Sequence, residues 1–312
     1  MVLRAIDLLD AFNRALAPCD AHEPGEFAEP APLFIIGPPR SGTTLTYQVI
    51  TQQLQVGYFT APFGYLYGMP RLLAWGLRRL TRRPEPVFES RHGRIPGFLA
   101  PSEHANFWFR WFPRDGSQGQ YVAGAAIDVN RYAGLRSDIA AIGRILERPL
   151  VFKNVYLSVT AGALARLFPR ARFLVVERDP LLICQSLLRA RIARPDPTIW
   201  WSVRPPGYHD WLALPLWQQV ARQVHATTTI IRRELADHAP GRVIDLPYER
   251  LCAEPRQVIV DLHRRLESLG YAAYPDWRCP ERFDATTTVS LPQTDADRLR
   301  NYLAELRADR PS

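Results

Sequence analysis

The sequence predicts an α/β fold in which a P-loop-type parallel sheet lies between helices in three α/β/α layers. Short apolar runs alternate with segments of helical periodicity, the order typical of parallel sheets covered on both faces. A glycine-containing loop also joins the first apolar run to a long helix. With 312 residues, no internal repeat and no clear linker, we expect one domain, residues 1–312, with an insertion at about 57–130.

The elements of the first third are predicted from periodicity. Apolar residues at helical spacing predict an amphipathic helix over residues 3–17. A joint rich in Pro and Glu follows at 22–32, and the run PLFIIG then predicts a buried strand. Residues 37–44 (GPPRSGTT), which we call the glycine loop, lead into a helix that begins with TLTYQVITQQL.

The second half of the chain alternates strands with helices. Strands are predicted at 149–152, 171–177 and 242–246. Helices are predicted at 158–168 with Ser158 as N-cap, 180–191, 212–237, 255–270 and 293–307.

The insertion at 57–130 is harder to interpret because it is rich in aromatic residues, Gly and Pro. Residues 69–83 predict a basic amphipathic helix, which we expect to be solvated; the alternative is a peripheral contact with a membrane. The aromatic groups FWFRWF and IWW are interpreted first as packing and second as walls of an apolar ligand pocket.

Charge and cysteine content narrow the functional classes. The formal net charge of +8 predicts an anionic partner such as a nucleic acid, an anionic lipid or a polyanionic cofactor. Lys153 is the only lysine among the 39 basic residues. Four separated cysteines predict free thiols in a reducing compartment. Because Asp7 and Asp10 interrupt the first apolar segment, we expect no signal peptide and a cytoplasmic protein.

The glycine loop has the spacing of an anion-binding loop at the N-terminus of a helix. A Walker A motif requires a lysine where this chain has Thr43, which argues against hydrolysis of ATP or GTP. Arg178 comes directly after the run ARFLVVE, and Ser186 is on the helix that follows. An Arg fork and a hydroxyl can hold one phosphate monoester; the alternative is a structural ion pair of Arg178 with Glu177 or Asp179.

Together, the glycine loop and the segment RFLVVERDPLLICQSLL resemble the sulfotransferase superfamily, and P-R-S-G-T-T is similar to its carbohydrate and tyrosyl-protein branch. The segment LPYERLCAEP resembles a third family motif. The resemblance covers 33–55 and 149–270. It implies 3′-phosphoadenosine 5′-phosphosulfate (PAPS) as the sulfuryl donor and no metal. It also implies donor-binding roles for Arg40, Ser41, Gly42, Thr43, Thr44, Arg178 and Ser186.

Sulfuryl transfer to a hydroxyl requires a cation at the bridging oxygen and a base for the acceptor proton. Lys153, with Arg40, is the expected cation; the alternative is a surface lysine. Glu103 and His104 are the candidate bases, because they lie side by side and aromatic residues that could exclude water follow them. Glu103 is favoured over His104. The alternative is that both residues have ordinary polar roles. Relatives use a Glu or a His as this base. In tyrosyl-protein-type relatives the Glu lies shortly after the loop helix, where this chain has no acidic residue.

The expected acceptor is a hydroxyl-bearing small molecule, lipid or carbohydrate, and no nucleic-acid partner is expected. Two other functions are weighed against this one. A P-loop kinase or nucleotide hydrolase would require Mg²⁺, and a non-catalytic binder of anions would show salt-dependent affinity without turnover. Neither explains both candidate anion-binding motifs.

Overall fold

A computed structural model describes residues 2–20, 29–81, 83–89 and 95–308, so most of the expected joint at 22–32 lies outside the described residues. Its sheet has four parallel strands in the order β2-β1-β3-β4. The strands are β1 (Leu33–Ile36), β2 (Val151–Lys153), β3 (Arg172–Glu177) and β4 (Val243–Pro247). The longer helices are α1 (Val2–Leu16), α2 (Thr43–Gln53), α3 (Pro70–Leu77), α5 (Ala133–Leu146), α6 (Ala161–Leu167), α7 (Pro180–Ile192), α9 (Leu216–His238), α11 (Pro255–Leu266) and α12 (Gln293–Ala308). Three short helices are α4 (Ala105–Trp108), α8 (Tyr208–Trp211) and α10 (Tyr248–Ala253).

Side chains alternate between the two faces of the sheet along each strand, and helices pack against both faces. Phe34 pairs in register with Phe152 and Phe173, and these three rings form one core with α5, α6 and part of α9. Leu33 and Ile35 point to the opposite core, which α2 and α11 cover. The predicted three-layer α/β/α fold is therefore confirmed.

The insertion contains less helix than predicted at its start. The expected basic helix at 69–83 is wrong beyond Leu77, because α3 ends there and a turn follows. Leu80 is 63% exposed, so continuing the helix would bury no further apolar face. Just beyond the insertion, α5 was not predicted, although Leu135, Ile139 and Ile142 on it are fully buried.

Ser158 is not the N-cap that the sequence predicted. A 3₁₀ helix, Val155–Thr160, comes first, and α6 begins only at Ala161. The Ser158 hydroxyl instead accepts a hydrogen bond from the Gly37 N–H at 3.1 Å and donates to the Gly37 carbonyl at 2.9 Å. This hydroxyl thereby fixes the first residue of the glycine loop.

All four cysteines are described and carry free thiols. Within the described ranges, no helix is both long and apolar enough to cross a membrane.

We predict that Ser158→Ala lowers the free energy of unfolding by about 2–4 kcal/mol, because the buried N–H and C=O of Gly37 lose their partner. Urea titration measures the change, with the exposed Ser117→Ala as control. A loss no larger than that of the control would show that Ser158 does not stabilise the loop.

Candidate active site

The four strands end around one cleft of about 650 Å³, a volume typical of sites for small ligands. The glycine loop follows β1, Lys153 ends β2, Arg178 follows β3 and Tyr248 follows β4. Parallel strands place their carboxyl ends at one edge of the sheet, where ligands of open α/β sheets gather. The sheet topology therefore explains why residues far apart in sequence line the same cleft.

The glycine loop has a tight backbone that suits an anion. Arg40 and Gly42 both have a left-handed conformation, with φ of 72° and 104°. A Cβ on Gly42 would lie 2.0 Å from a ring carbon of Tyr248, so only glycine fits there. Gly42 directly precedes α2, whose N-terminal end carries a partial positive charge.

Two guanidinium groups are brought together at this loop. Arg178 donates to the Arg40 carbonyl at 3.3 Å and to the Thr286 carbonyl at 2.7 Å, and it lies over the Tyr248 ring at 4.8 Å. Burial, and after it the charge of Arg178, lower the pKa of Arg40 below its usual value. The site therefore concentrates positive charge that an anion would stabilise.

The neighbours of Arg178 exclude the ion pair considered as an alternative. Glu177 pairs with Arg232, and the Asp179 carboxylate accepts from the Leu181 N–H at 2.8 Å as the N-cap of α7. Ser186 accepts a hydrogen bond from Arg40 Nε at 3.0 Å. Ser186 thus orients Arg40 in this structure.

Polar atoms at the loop also remain unpaired. Among the described residues, buried Ser41 Oγ and Arg178 Nε have no hydrogen-bond partner. Unpaired buried donors are unfavourable unless a ligand or water satisfies them. Together with the left-handed backbone of Arg40 and Gly42 just before α2, these unpaired atoms fit a phosphate-bearing ligand.

Lys153 forms the centre of a second group in the cleft. Its ammonium donates to Thr44 Oγ1 at 2.9 Å and pairs with the Glu103 carboxylate. The Lys153 side chain is 2% exposed and that of Glu103 is 28% exposed, so the surface-lysine alternative is wrong. Asn154 donates to the Glu103 carbonyl at 2.9 Å, which fixes the segment that carries the carboxylate.

His104 borders the same cleft in a different environment. Its backbone is left-handed, with φ of 45°, and its ring packs near Phe59 and Phe63. Burial lowers its pKa to about 3, and a hydrogen bond to the Phe59 backbone opposes that shift. The imidazole is therefore neutral near pH 7, and its buried Nε2 lacks a partner among the described residues.

The structure brings together most of the residues singled out in the sequence. The residues that line the cleft are Arg40, Gly42, Thr43, Thr44, Glu103, His104, Lys153 and Arg178. Ser41 and Ser186 are not among the residues that line the cleft. Ser41 is buried within the glycine loop, and Ser186 accepts a hydrogen bond from Arg40. In the segment FWFRWF, Phe107, Trp108 and Phe112 are buried in the core, so the packing interpretation fits these three.

Sequence reasoning missed other residues of the cleft, including Tyr156, Ser202 and Tyr248, whereas Trp201 belongs to the segment IWW and fits its second interpretation as a pocket wall. Tyr248 had a usable signal, since it opens the segment after β4, at the same sheet edge as Arg178. Trp201 and Ser202 lie in an irregular loop whose position depends on tertiary contacts. Within the described part of the chain, no cluster of His, Cys, Asp or Glu could hold a metal ion.

A three-layer α/β protein whose strand ends surround a cationic cleft is typical of proteins that bind phosphorylated ligands. A model of the sulfotransferase family matches residues 32–269, which is more than half of the chain. The chain therefore belongs to the sulfotransferase family, as its motifs predicted. No curated protein matches it significantly in sequence.

Similar solved structures are themselves sulfotransferases. Sulfotransferase STF9 from Mycobacterium avium is 16% identical, with a TM-score of 0.48 over 95% of this chain and 72% of that chain. STF1 from Mycobacterium tuberculosis H37Rv is 14% identical, with a TM-score of 0.49 over 89% of this chain and 78% of that chain. A sulfotransferase from Alicyclobacillus acidocaldarius is 15% identical, with a TM-score of 0.44 over 90% of this chain and 94% of that chain.

The lowered pKa of His104 predicts an acid-dependent loss of stability. Unfolded His titrates near pH 6.5, so between about pH 6.5 and 3 the unfolded chain binds a proton that the folded chain does not. In this window the free energy of unfolding should decrease as the pH is lowered, by up to about 1.4 kcal/mol per pH unit. Urea titrations from pH 7 to pH 4 should show that the free energy of unfolding of His104→Asn depends less on pH, because Asn does not titrate in this range. Asn is chosen because it tolerates the left-handed backbone of this position.

The matched control is His209→Asn, since the His209 side chain is 52% exposed. Equal pH slopes for the wild type and His104→Asn would contradict the burial of a neutral imidazole.

Proposed function

We propose that this protein transfers a sulfuryl group from PAPS to an acceptor hydroxyl and releases 3′-phosphoadenosine 5′-phosphate. The observation that carries the proposal is that Arg178 contacts Arg40 of the glycine loop, while Lys153 and Glu103 form a pair in the same cleft. Family membership supports sulfuryl transfer as the reaction. We also propose that residues 1–312 form one sulfotransferase domain whose insertion, at about 57–130, serves the acceptor side.

The donor would be held mainly by the glycine loop. We assign the 5′-phosphosulfate to the backbone of the loop and to Ser41, Thr43 and Thr44, beside the N-terminus of α2. The 3′-phosphate is assigned to Arg178 and Ser186. In the present structure the Ser186 hydroxyl accepts a hydrogen bond from Arg40, which leaves its O–H available to donate to the phosphate.

In the proposed reaction, the acceptor oxygen forms a bond to sulfur while the bond between sulfur and the bridging phosphate oxygen breaks. The acceptor proton passes to the Glu103 carboxylate. The released electron pair remains on the phosphate oxygen, where Lys153 and Arg40 stabilise the charge. In-line transfer of this kind depends chiefly on positioning and charge stabilisation.

The contact between Glu103 and Lys153 links the two halves of this reaction. As Glu103 takes up the proton it becomes neutral and attracts the ammonium less. Lys153 can then direct its charge to the departing oxygen as that oxygen becomes negative. The neutral, buried His104 has no comparable partner, which favours Glu103 as the base.

The donor assignment predicts selective binding of 3′-phosphoadenosine 5′-phosphate. Calorimetric titration should give a Kd near micromolar without Mg²⁺, with ATP and AMP at least tenfold weaker, because two anionic ends match two cationic groups. Preference for ATP with Mg²⁺ would favour a kinase or hydrolase. Absence of nucleotide binding, with retained salt-sensitive binding of polyanions, would favour a non-catalytic anion binder.

The base assignment predicts that Glu103→Gln lowers kcat by about 10²–10⁴-fold, the usual contribution of a general base. The Kd for 3′-phosphoadenosine 5′-phosphate should stay within about threefold, since Glu103 is not assigned to the donor. Transfer of labelled sulfate measures kcat, with the exposed Glu305→Gln on α12 as control. Near-normal turnover of Glu103→Gln would exclude Glu103 as the base.

A further inference from the structure

The cleft has a second wall, separate from the glycine loop. We call it the acceptor wall and define it by Gly64, Tyr65, Asn106, Tyr156, Trp201 and Ser202, all of which line the cleft. These residues come from the insertion and from the segments after β2 and α7. Tyr156 closely follows Lys153, and Asn154 between them is bonded to the Glu103 carbonyl, so this wall adjoins the proposed reacting groups.

Charge is unevenly divided between the two sides of the cleft. The cationic lining residues Arg40, Lys153 and Arg178 all follow or end strands at the sheet edge. None of the six residues that define the acceptor wall carries a charge, and the Glu103 carboxylate beside the wall is already paired with Lys153. An anionic acceptor would lose water at this wall without gaining a cation on it.

The amide on the acceptor wall is already engaged within the protein. Asn106 Nδ2 donates to the Gly64 carbonyl at 2.9 Å, and its Oδ1 accepts from Arg114 at 3.3 Å. Recognition of a polyol requires several hydrogen-bonding groups directed at the ligand. The aromatic residues Tyr65, Tyr156 and Trp201 offer mainly ring surface, which buries apolar area efficiently.

The loop that carries Trp201 is fixed before any ligand binds. Ser202 has a φ of 72°, a conformation that a residue other than glycine keeps only when its surroundings impose it. Gln223, fully buried on α9, donates to the carbonyls of Trp201 at 2.9 Å and Val203 at 2.7 Å, one on each side of Ser202. A wall held in this way loses little entropy when an acceptor binds.

We propose that the acceptor is an uncharged alcohol or phenol with an apolar body, which packs against Tyr65, Tyr156 and Trp201 while its hydroxyl faces Glu103. This assignment rests on the proposed sulfotransferase function. It excludes anionic saccharides and ranks neutral sugars below apolar alcohols.

The experiment compares four acceptors in protein saturated with donor. The probes are 2-naphthol, 1-decanol, N-acetylglucosamine and a disaccharide that contains glucuronic acid. Transfer of labelled sulfate gives kcat/KM, and calorimetry with 3′-phosphoadenosine 5′-phosphate bound gives the Kd of each acceptor even if turnover is slow. We expect 2-naphthol or 1-decanol to exceed both saccharides by at least tenfold in each measurement.

The variants Tyr65→Ala and Trp201→Ala should each raise KM for the preferred probe about tenfold and leave the Kd of 3′-phosphoadenosine 5′-phosphate unchanged. Tyr65 is 63% exposed, so its variant should fold even if Trp201→Ala does not. Trp75→Ala is the matched control, since Trp75 is 59% exposed and is not part of the acceptor wall.

The outcomes separate the two proposals. Normal nucleotide binding with preference for either saccharide, or with no binding of the apolar probes, would overturn the acceptor assignment alone. An unchanged KM in Tyr65→Ala and in folded Trp201→Ala would also overturn it. Failure to bind 3′-phosphoadenosine 5′-phosphate would instead overturn the sulfotransferase proposal, and the acceptor assignment with it.

Discussion

The concentration of positive charge at the carboxyl edge of the sheet is the constraint on which the rest of the site depends. Arg40 and Arg178 are close enough for their mutual repulsion to lower the pKa of Arg40, in addition to the effect of burial. Such an arrangement opposes folding unless other contacts hold it or an anion neutralises it. Arg178 is held through the carbonyls of Arg40 and Thr286, which orients its charge without neutralising it.

The glycine loop keeps its shape because distant parts of the chain fix it. Ser158 satisfies both backbone groups of Gly37, and the Tyr248 ring occupies the space beside Gly42. These contacts come from the segments that follow β2 and β4. Thus the loop is continuous in sequence, but its geometry depends on the parallel order of the whole sheet.

The sequence predicted what is repetitive or local and missed what depends on tertiary contacts. Strands buried on both faces are continuous apolar runs, so β1 and β3 were predictable. The glycine loop and Arg178 were predictable because their motifs are short. By contrast, Ser158 was interpreted as a helix cap because its partner, Gly37, is 121 positions away. Contact between Lys153 and Glu103 also depends on how the insertion folds over β2, which no spacing in the sequence encodes.

A lysine is better suited than an arginine to position 153, although the chain otherwise uses arginine throughout. Its side chain is almost fully buried, and its ammonium contacts both Thr44 and Glu103. A guanidinium is larger and carries five N–H donors in a fixed plane, all of which would require partners in this confined space. An ammonium is compact and can redirect its three donors. This freedom is what the proposed mechanism requires, because the cation must interact less with the carboxylate as charge develops on the departing oxygen.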